Sequence, residues 1–202
     1  DIYMIGTYKY TLRKYLQHHP ATHLSAVNLG LDLCAALSVC RQLGYIYVDL
    51  TPNNIYVTDN GFRIGDIGFI QLDTLKYAAL PEKYASAYTA PEAFDAFSTL
   101  TPSLDTYSVG MILYQIYNNG ELPFAVKAPL KYLPSPVNAD YEMAEIILKA
   151  CDPNPRKRYQ TPVEMGKALV SYMQRNGADD IPIAPPAEEE PESVEEDAAE
   201  TE

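Results

Sequence analysis

Apolar positions along the chain follow helical and strand-like periods in turn. Thr11 precedes a stretch in which Leu12, Tyr15 and Leu16 share one helical face, and its hydroxyl can accept from the free N–H groups of a first turn. From 25 to about 43, Val27, Leu31, Cys34, Ala35 and Leu37 recur at helical spacing, and Gly44 marks the stop. Residues 1–6 read as a short apolar strand. Three β-rich pieces follow the long helix, at 46–48, 55–57 and 62–64, the last two joined across Asp59-Asn60-Gly61. Asn-Gly predicts a tight hairpin there, because both residues tolerate positive φ.

Residues 65–92 show little periodicity and predict a long loop, which in a compact domain is usually functional. A strongly apolar helix is predicted from 104 to about 117, opened by Asp105 and closed by Asn118-Asn119-Gly120. Its hydrophobic residues point in most directions, which places it in the middle of the domain. The stretch 123–140 holds four prolines and reads as irregular, and two further helices are predicted at 141–150 and 162–175. After Gly177 the composition becomes Pro, Glu, Asp and Ala, which cannot bury enough apolar surface to fold. The pattern predicts a mainly α domain with one small β-hairpin over 1–175, followed by an acidic disordered tail over 176–202.

Charge changes this picture little. The formal net charge of -12 is concentrated in the tail: 11 acidic residues and no basic ones lie from 179 onward, leaving 16 acids against 15 bases before them. A near-neutral body lacks the basic patch of a nucleic-acid partner. Cys34, Cys40 and Cys151 fit no metal-ligand spacing and read as reduced thiols. His18, His19 and His23 lack the acidic or cysteine company of a metal site and read as a solvated helix end. No apolar run reads as a bilayer span and no signal-peptide pattern is visible, so the expected location is cytoplasmic.

Candidate chemistry gathers on two loops. Asp49-Leu50-Thr51-Pro52-Asn53-Asn54 sets a carboxylate and an amide five residues apart, and Asp66-Ile67-Gly68 comes twelve residues later, directly after a strand. Phosphoryl transfer requires an acceptor hydroxyl to be positioned and Mg²⁺ to be held against nucleotide phosphates. Hard cations take oxygen ligands, which Asn54 and Asp66 can supply, while Asp49 can orient a hydroxyl and accept its proton.

In order and spacing, these motifs resemble those of eukaryotic-like (Hanks-type) Ser/Thr protein kinases of bacterial type. Residues 44–69 resemble the catalytic loop, hairpin and metal-binding triplet. Ala90-Pro91-Glu92 resembles the end of the activation segment, and Asp105-Thr106-Tyr107-Ser108-Val109-Gly110 the start of the central buried helix. Glu121-Leu122-Pro123-Phe124 and the run from Asn154 through Arg158 to Thr161 resemble later signatures. The resemblance covers 1–175 as the C-terminal lobe of a two-lobed α+β parent. It implies Asp49 as the proton acceptor, and Asn54 and Asp66 as the metal- and cofactor-binding pair for Mg²⁺ and ATP. Tyr56 would lie on the adenine floor. It further implies a structural ion pair between Glu92 and Arg158, and Asp105 as the residue holding the catalytic-loop backbone.

The first strand resembles the last strand before the interlobe hinge. The expected partners are therefore an N-terminal lobe of the same parent chain, which would carry the glycine-rich loop and the ATP-anchoring lysine, and a protein substrate. The isolated lobe is not expected to catalyse. Four departures bear on activity. Tyr47-Val48 replaces His-Arg, removing the cation that would receive an activation-loop phosphate. Thr51 replaces a lysine that neutralises the γ-phosphate, Ala85 replaces a threonine, and Ile67 replaces a phenylalanine. Two readings stand: a Ser/Thr protein kinase, and a pseudokinase that binds nucleotide or partners as a scaffold. A small-molecule kinase is disfavoured by Ala90-Pro91-Glu92 and the long activation segment.

Overall fold

A computed structural model describes residues 10–48, 50–65, 69–71, 80, 85–95, 99–124, 132–177 and 179–183. The strand expected at 1–6 and the prolines at 129 and 191 lie outside them. Among the described residues there are five helices, one three-stranded antiparallel sheet and one two-stranded pair.

The chain enters through β1 (Tyr10–Thr11), which pairs with the middle of the hairpin, and turns at once into α1 (Leu12–His18). Thr11 caps α1 by accepting from the Lys14 N–H at 3.4 Å. Helix α2 (His23–Gln42) begins two residues earlier than its periodicity indicated. The reason is a capping box: Thr22 accepts from the Ser25 N–H at 3.1 Å and Ser25 accepts from the Thr22 N–H at 2.9 Å. By length and hydropathy alone α2 is long and apolar enough to cross a bilayer, contrary to the sequence reading. Its apolarity is accounted for by packing, since it lies against α3, α5, β2 and β4.

Strands β3 (Ile55–Thr58) and β4 (Gly61–Ile64) form the expected hairpin in the register Thr58 to Gly61. The turn chemistry differs from expectation: Gly61 has φ +98° but Asn60 does not have a positive φ. Thr58 supplies the missing constraint, its hydroxyl accepting from the Asn60 N–H and donating to the Gly61 carbonyl. Asp32 of α2 then accepts from the Phe62 N–H at 2.8 Å, fastening the hairpin to the helical body.

Helix α3 (Ser103–Tyr117) runs through the core with every side chain except Gln115 buried. Asp105 does not open it; Pro102 stands at the cap position without a side-chain bond, and the Asp105 carboxylate is turned to another use described below. Helix α4 (Tyr141–Ala150) is capped by Asp140, which accepts from the Met143 N–H at 2.8 Å. Helix α5 (Pro162–Asn176) is capped by Thr161 and stopped by Gly177 at φ +71°. Residues 179–183 then return to the start of α2. The Leu24 and His23 N–H groups donate to the Asp179 and Ile181 carbonyls, and the Ile183 N–H donates to the Ala21 carbonyl at 2.9 Å. Ile183 is buried there, so the acidic stretch begins with a packed apolar anchor.

Candidate active site

Strand β2 (Tyr45–Tyr47) delivers the chain to the candidate catalytic loop. It pairs antiparallel with β5 (Phe69–Gln71), Tyr47 opposite Phe69, so one two-stranded element carries the start of that loop and the far side of the metal-binding triplet. Strand β5 falls inside the stretch that the sequence reads as loop. Asp49 and Asp66 themselves lie outside the described residues. Among the described residues next to them in sequence, the Asn54 N–H donates to the Thr51 carbonyl at 3.0 Å, closing a turn. The Gly65 N–H donates to the Asn54 carbonyl at 2.9 Å. That bond joins the loop ending in Asn54 to the residue directly before Asp66.

Tyr47, fully buried, was not singled out as a site residue by its sequence position, and it makes a second joint. Its phenol donates to the Gly65 carbonyl at 2.5 Å. Gly65 is thus held from both sides, its N–H by Asn54 and its carbonyl by Tyr47. Tyr56 of β3 packs its ring so closely on Gly65 that a Cβ there would overlap it. Tyr56 accordingly lies beside the backbone that leads into Asp66. A buried tyrosine in a β-rich piece reads as ordinary packing, so only the register of β2 could have hinted at this role.

From below, Asp105 on α3 accepts from the Tyr47 N–H at 3.0 Å through Oδ1. The side chain is completely buried, and among the described residues its Oδ2 has no hydrogen-bond partner. Burial holds this carboxyl well above the usual carboxylate range, and the Tyr47 N–H works in the opposite direction. A carboxyl whose folded-state value is raised contributes stability that is present in full below its unfolded value. That contribution is lost as pH rises through the folded-state value. Asp105→Asn keeps the acceptor and removes the titration. It should flatten this part of the stability-versus-pH profile, whereas Asp105→Ala leaves the Tyr47 N–H without that acceptor and should cost about 1–3 kcal/mol. Urea unfolding at a series of pH values, wild type against both variants, checks this.

Glu92 and Arg158 form a bidentate pair at 2.6 and 2.9 Å. Glu92 lies on the 3₁₀ turn Pro91–Phe94, and Arg158 follows the 3₁₀ turn Pro155–Lys157. Arg158 also donates to the Asp152 carbonyl at 2.6 Å and lies 4.7 Å from the centre of the Tyr107 ring on α3. The segment before Glu92 is pinned to the same helix, because the Ser108 hydroxyl donates to the Tyr88 carbonyl at 2.8 Å. Ala85 has no hydroxyl to offer; the neighbouring Ser86 hydroxyl is 2.9 Å from that of Thr89.

Beside this scaffold a cleft of about 950 Å³ opens between α1, Pro52-Asn53 of the candidate catalytic loop, residues 85–88 and the end of α3. No His, Cys, Asp or Glu cluster able to hold a metal occurs among the described residues. Burial pushes the Cys34 thiol up to about 12 and also raises those of Cys151 and the half-buried Cys40. The bond between the Gly65 N–H and the Asn54 carbonyl ties Asn54 to the residue before Asp66, and Asn54 and Asp66 would bring oxygen donors of the kind that Mg²⁺ takes.

Comparison with known proteins agrees with this scaffold. The sequence matches the protein kinase domain family over residues 1–174. It is similar to serine/threonine-protein kinase PknB of Mycobacterium tuberculosis, 30% identical over 168 residues, covering 75% of this chain and 26% of that protein. A probable serine/threonine-protein kinase of Clostridium perfringens, CPE1738, is 30% identical over 156 residues, covering 69% of this chain and 22% of that protein. Serine/threonine-protein kinase PknK of Mycobacterium bovis is 27% identical over 183 residues, covering 83% and 16%. The chain therefore spans about a quarter or less of the length of these relatives. With a match over nearly all of its folded part, the chain belongs to the protein kinase domain family.

Proposed function

We propose that the parent protein is a Ser/Thr protein kinase using Mg-ATP, and that this chain is the lobe that positions the acceptor. The substrate hydroxyl oxygen attacks the γ-phosphorus, the bond to the β,γ-bridging oxygen breaks, ADP leaves, and Asp49 takes the hydroxyl proton. Asn54 and Asp66 would hold Mg²⁺, which would supply neutralising charge at the phosphates. The adenine would rest near Tyr56, and the N-terminal lobe upstream would supply the ATP-anchoring lysine. The observation that carries this reading is the double tie at Gly65. Its bonds tie the residue before Asp66 to Asn54 and to Tyr47, which supports a joint role for the two segments. Asp105 supports the same backbone from the core. The names of the bacterial relatives favour a Ser/Thr acceptor in a protein.

The second reading is a pseudokinase scaffold, favoured by Val48, Thr51 and Ala85, which stand where the family carries two cations and one hydroxyl. Incubating the parent protein with γ-labelled Mg-ATP and a mixed protein substrate separates the two. The kinase reading expects labelled Ser or Thr, abolished by Asp49→Ala. Label no greater than in the Asp49→Ala control, with nucleotide still bound, would establish the scaffold instead.

A further inference from the structure

The cleft beside α1 borders the candidate catalytic loop, because Pro52, three residues after Asp49, and Asn53 form part of its wall. The start of α1 is fixed to that wall, since the Arg13 N–H donates to the Pro52 carbonyl at 3.0 Å. The Arg13 side chain is exposed and lines the cleft, the one charged group among the described lining residues. Glu121, between the lining residues Gly120 and Leu122, is exposed and does not line it. The first turn of α1 holds no acidic residue, and among the described residues no carboxylate forms an ion pair with Arg13. A guanidinium thus stands beside the loop without a described counter-charge.

Where α3 reaches the cleft, the polar groups are neutral and engaged with one another. The Tyr88 phenol donates to Gln115 Oε1 at 2.6 Å, and Gln115 Nε2 donates to the Gly120 carbonyl at 2.8 Å. Asn119 accepts from the Asn138 amide at 2.7 Å. Burial raises the Tyr88 phenol and the Arg13 guanidinium acts in the opposite direction, so the charge is felt on this side of the cleft. Leu16, Ala87, Ile116 and Leu122 add apolar surface. A basic peptide would meet a like charge here and no described carboxylate. An acidic one would meet a planar fork that matches a carboxylate. The chain as a whole carries a net charge of -12, so attraction of an anion must come locally, from Arg13.

We propose that the cleft selects an acidic peptide segment, one whose carboxylate pairs with Arg13 while its apolar side chains lie on Leu16 and Leu122. Resting on the kinase reading, this makes proteins with Asp or Glu close to the acceptor Ser or Thr the substrate class, and Arg13 the residue that sets it. The selectivity itself is a binding property, measurable without turnover. Short fluorescent peptides with a central Ser, identical except for Asp, Asn or Lys beside it, are titrated against the parent protein. The same peptides are then incubated with γ-labelled Mg-ATP. Asp peptides should bind roughly fivefold more tightly than Asn peptides and Lys peptides most weakly, with the differences shrinking at high salt. Arg13→Gln should level the Asp and Asn sets, and Arg13→Glu should reverse the order. The backbone bond to Pro52 survives either substitution, so the thermal transition should not move. Lys14→Glu makes the same charge change at an exposed neighbour that does not line the cleft, and should keep the order. Equal binding of the three sets, binding of none, or an order unchanged in Arg13→Glu would overturn the proposal. Labelling of Lys peptides in preference would overturn it too and leave the kinase reading standing. An Arg13-dependent preference for Asp peptides with no label transferred would uphold the selectivity and count against the kinase reading.

Discussion

Arg158→Ala should destabilise the chain by about 3–5 kcal/mol, lowering the unfolding midpoint by roughly 10 °C, the largest effect on stability expected of any single substitution here. The magnitude follows from where the charges are. The Arg158 side chain is 0% exposed and that of Glu92 is 11% exposed. Removing the cation leaves a carboxylate in a site that water barely reaches, and strands the carbonyls of Asp152 and Pro153 that Arg158 also serves. Arg158→Lys retains charge but not the planar fork that engages both Glu92 oxygens, so it should recover only part of the loss. A double replacement, Arg158→Met with Glu92→Leu, removes both charges and should cost much less than the two single changes added together. Thermal and urea unfolding of the wild type, Arg158→Ala, Arg158→Lys, Arg158→Met, Glu92→Leu and the double variant check the series, and additive losses in the last three would show that the pair is not coupled.

Thr51→Lys should raise the rate of phosphoryl transfer by the parent protein on the order of 10²-fold. Thr51 follows Asp49 by two residues, and its carbonyl already accepts the Asn54 N–H, so the backbone of the turn is independent of its side chain. An ammonium there would face the charge that develops on the transferring phosphoryl group. One such preorganised donor is worth roughly 10²–10³ in rate. The substitution adds a long, exposed-capable side chain at a half-buried position, so stability should change little. Single-turnover transfer at saturating Mg-ATP isolates the chemical step from product release. An unchanged rate would mean that a group elsewhere already neutralises the γ-phosphate.

Much of this fold could be read from residue order, and the reasons are local. Helix α4 falls at the predicted 141–150, and the cap that starts it, Asp140, is a feature the fold adds. The all-round burial of α3 followed from its composition. Strand β5 was invisible because three residues carry no period, and it exists by pairing with β2. Asp105 reads as a helix opener by position and, by the resemblance, as the residue that holds the catalytic-loop backbone; its bond from the Tyr47 N–H, 58 residues away, accords with the second role and not the first. Tyr47 was noticed for the residue it replaces, while its bond to Gly65 depends on the approach of two loops that no spacing rule encodes. Ile183 is submerged in an acidic, proline-rich composition, although its buried side chain and the backbone bonds of Asp179, Ile181 and Ile183 fix residues 179–183 to the start of α2. The candidate site is legible from motif order, and what the fold adds is the linkage among β2, β5, Asn54, Gly65 and Asp105.

The most direct measurement is γ-phosphate transfer by the intact parent protein, run beside Asp49→Ala and Thr51→Lys in one assay. A retained scaffold with a charge-poor loop is expected to give slow, Mg-dependent labelling of Ser or Thr, absent from Asp49→Ala and faster in Thr51→Lys. Labelling that persists undiminished in Asp49→Ala, or none in the parent and in Thr51→Lys alike, would contradict it.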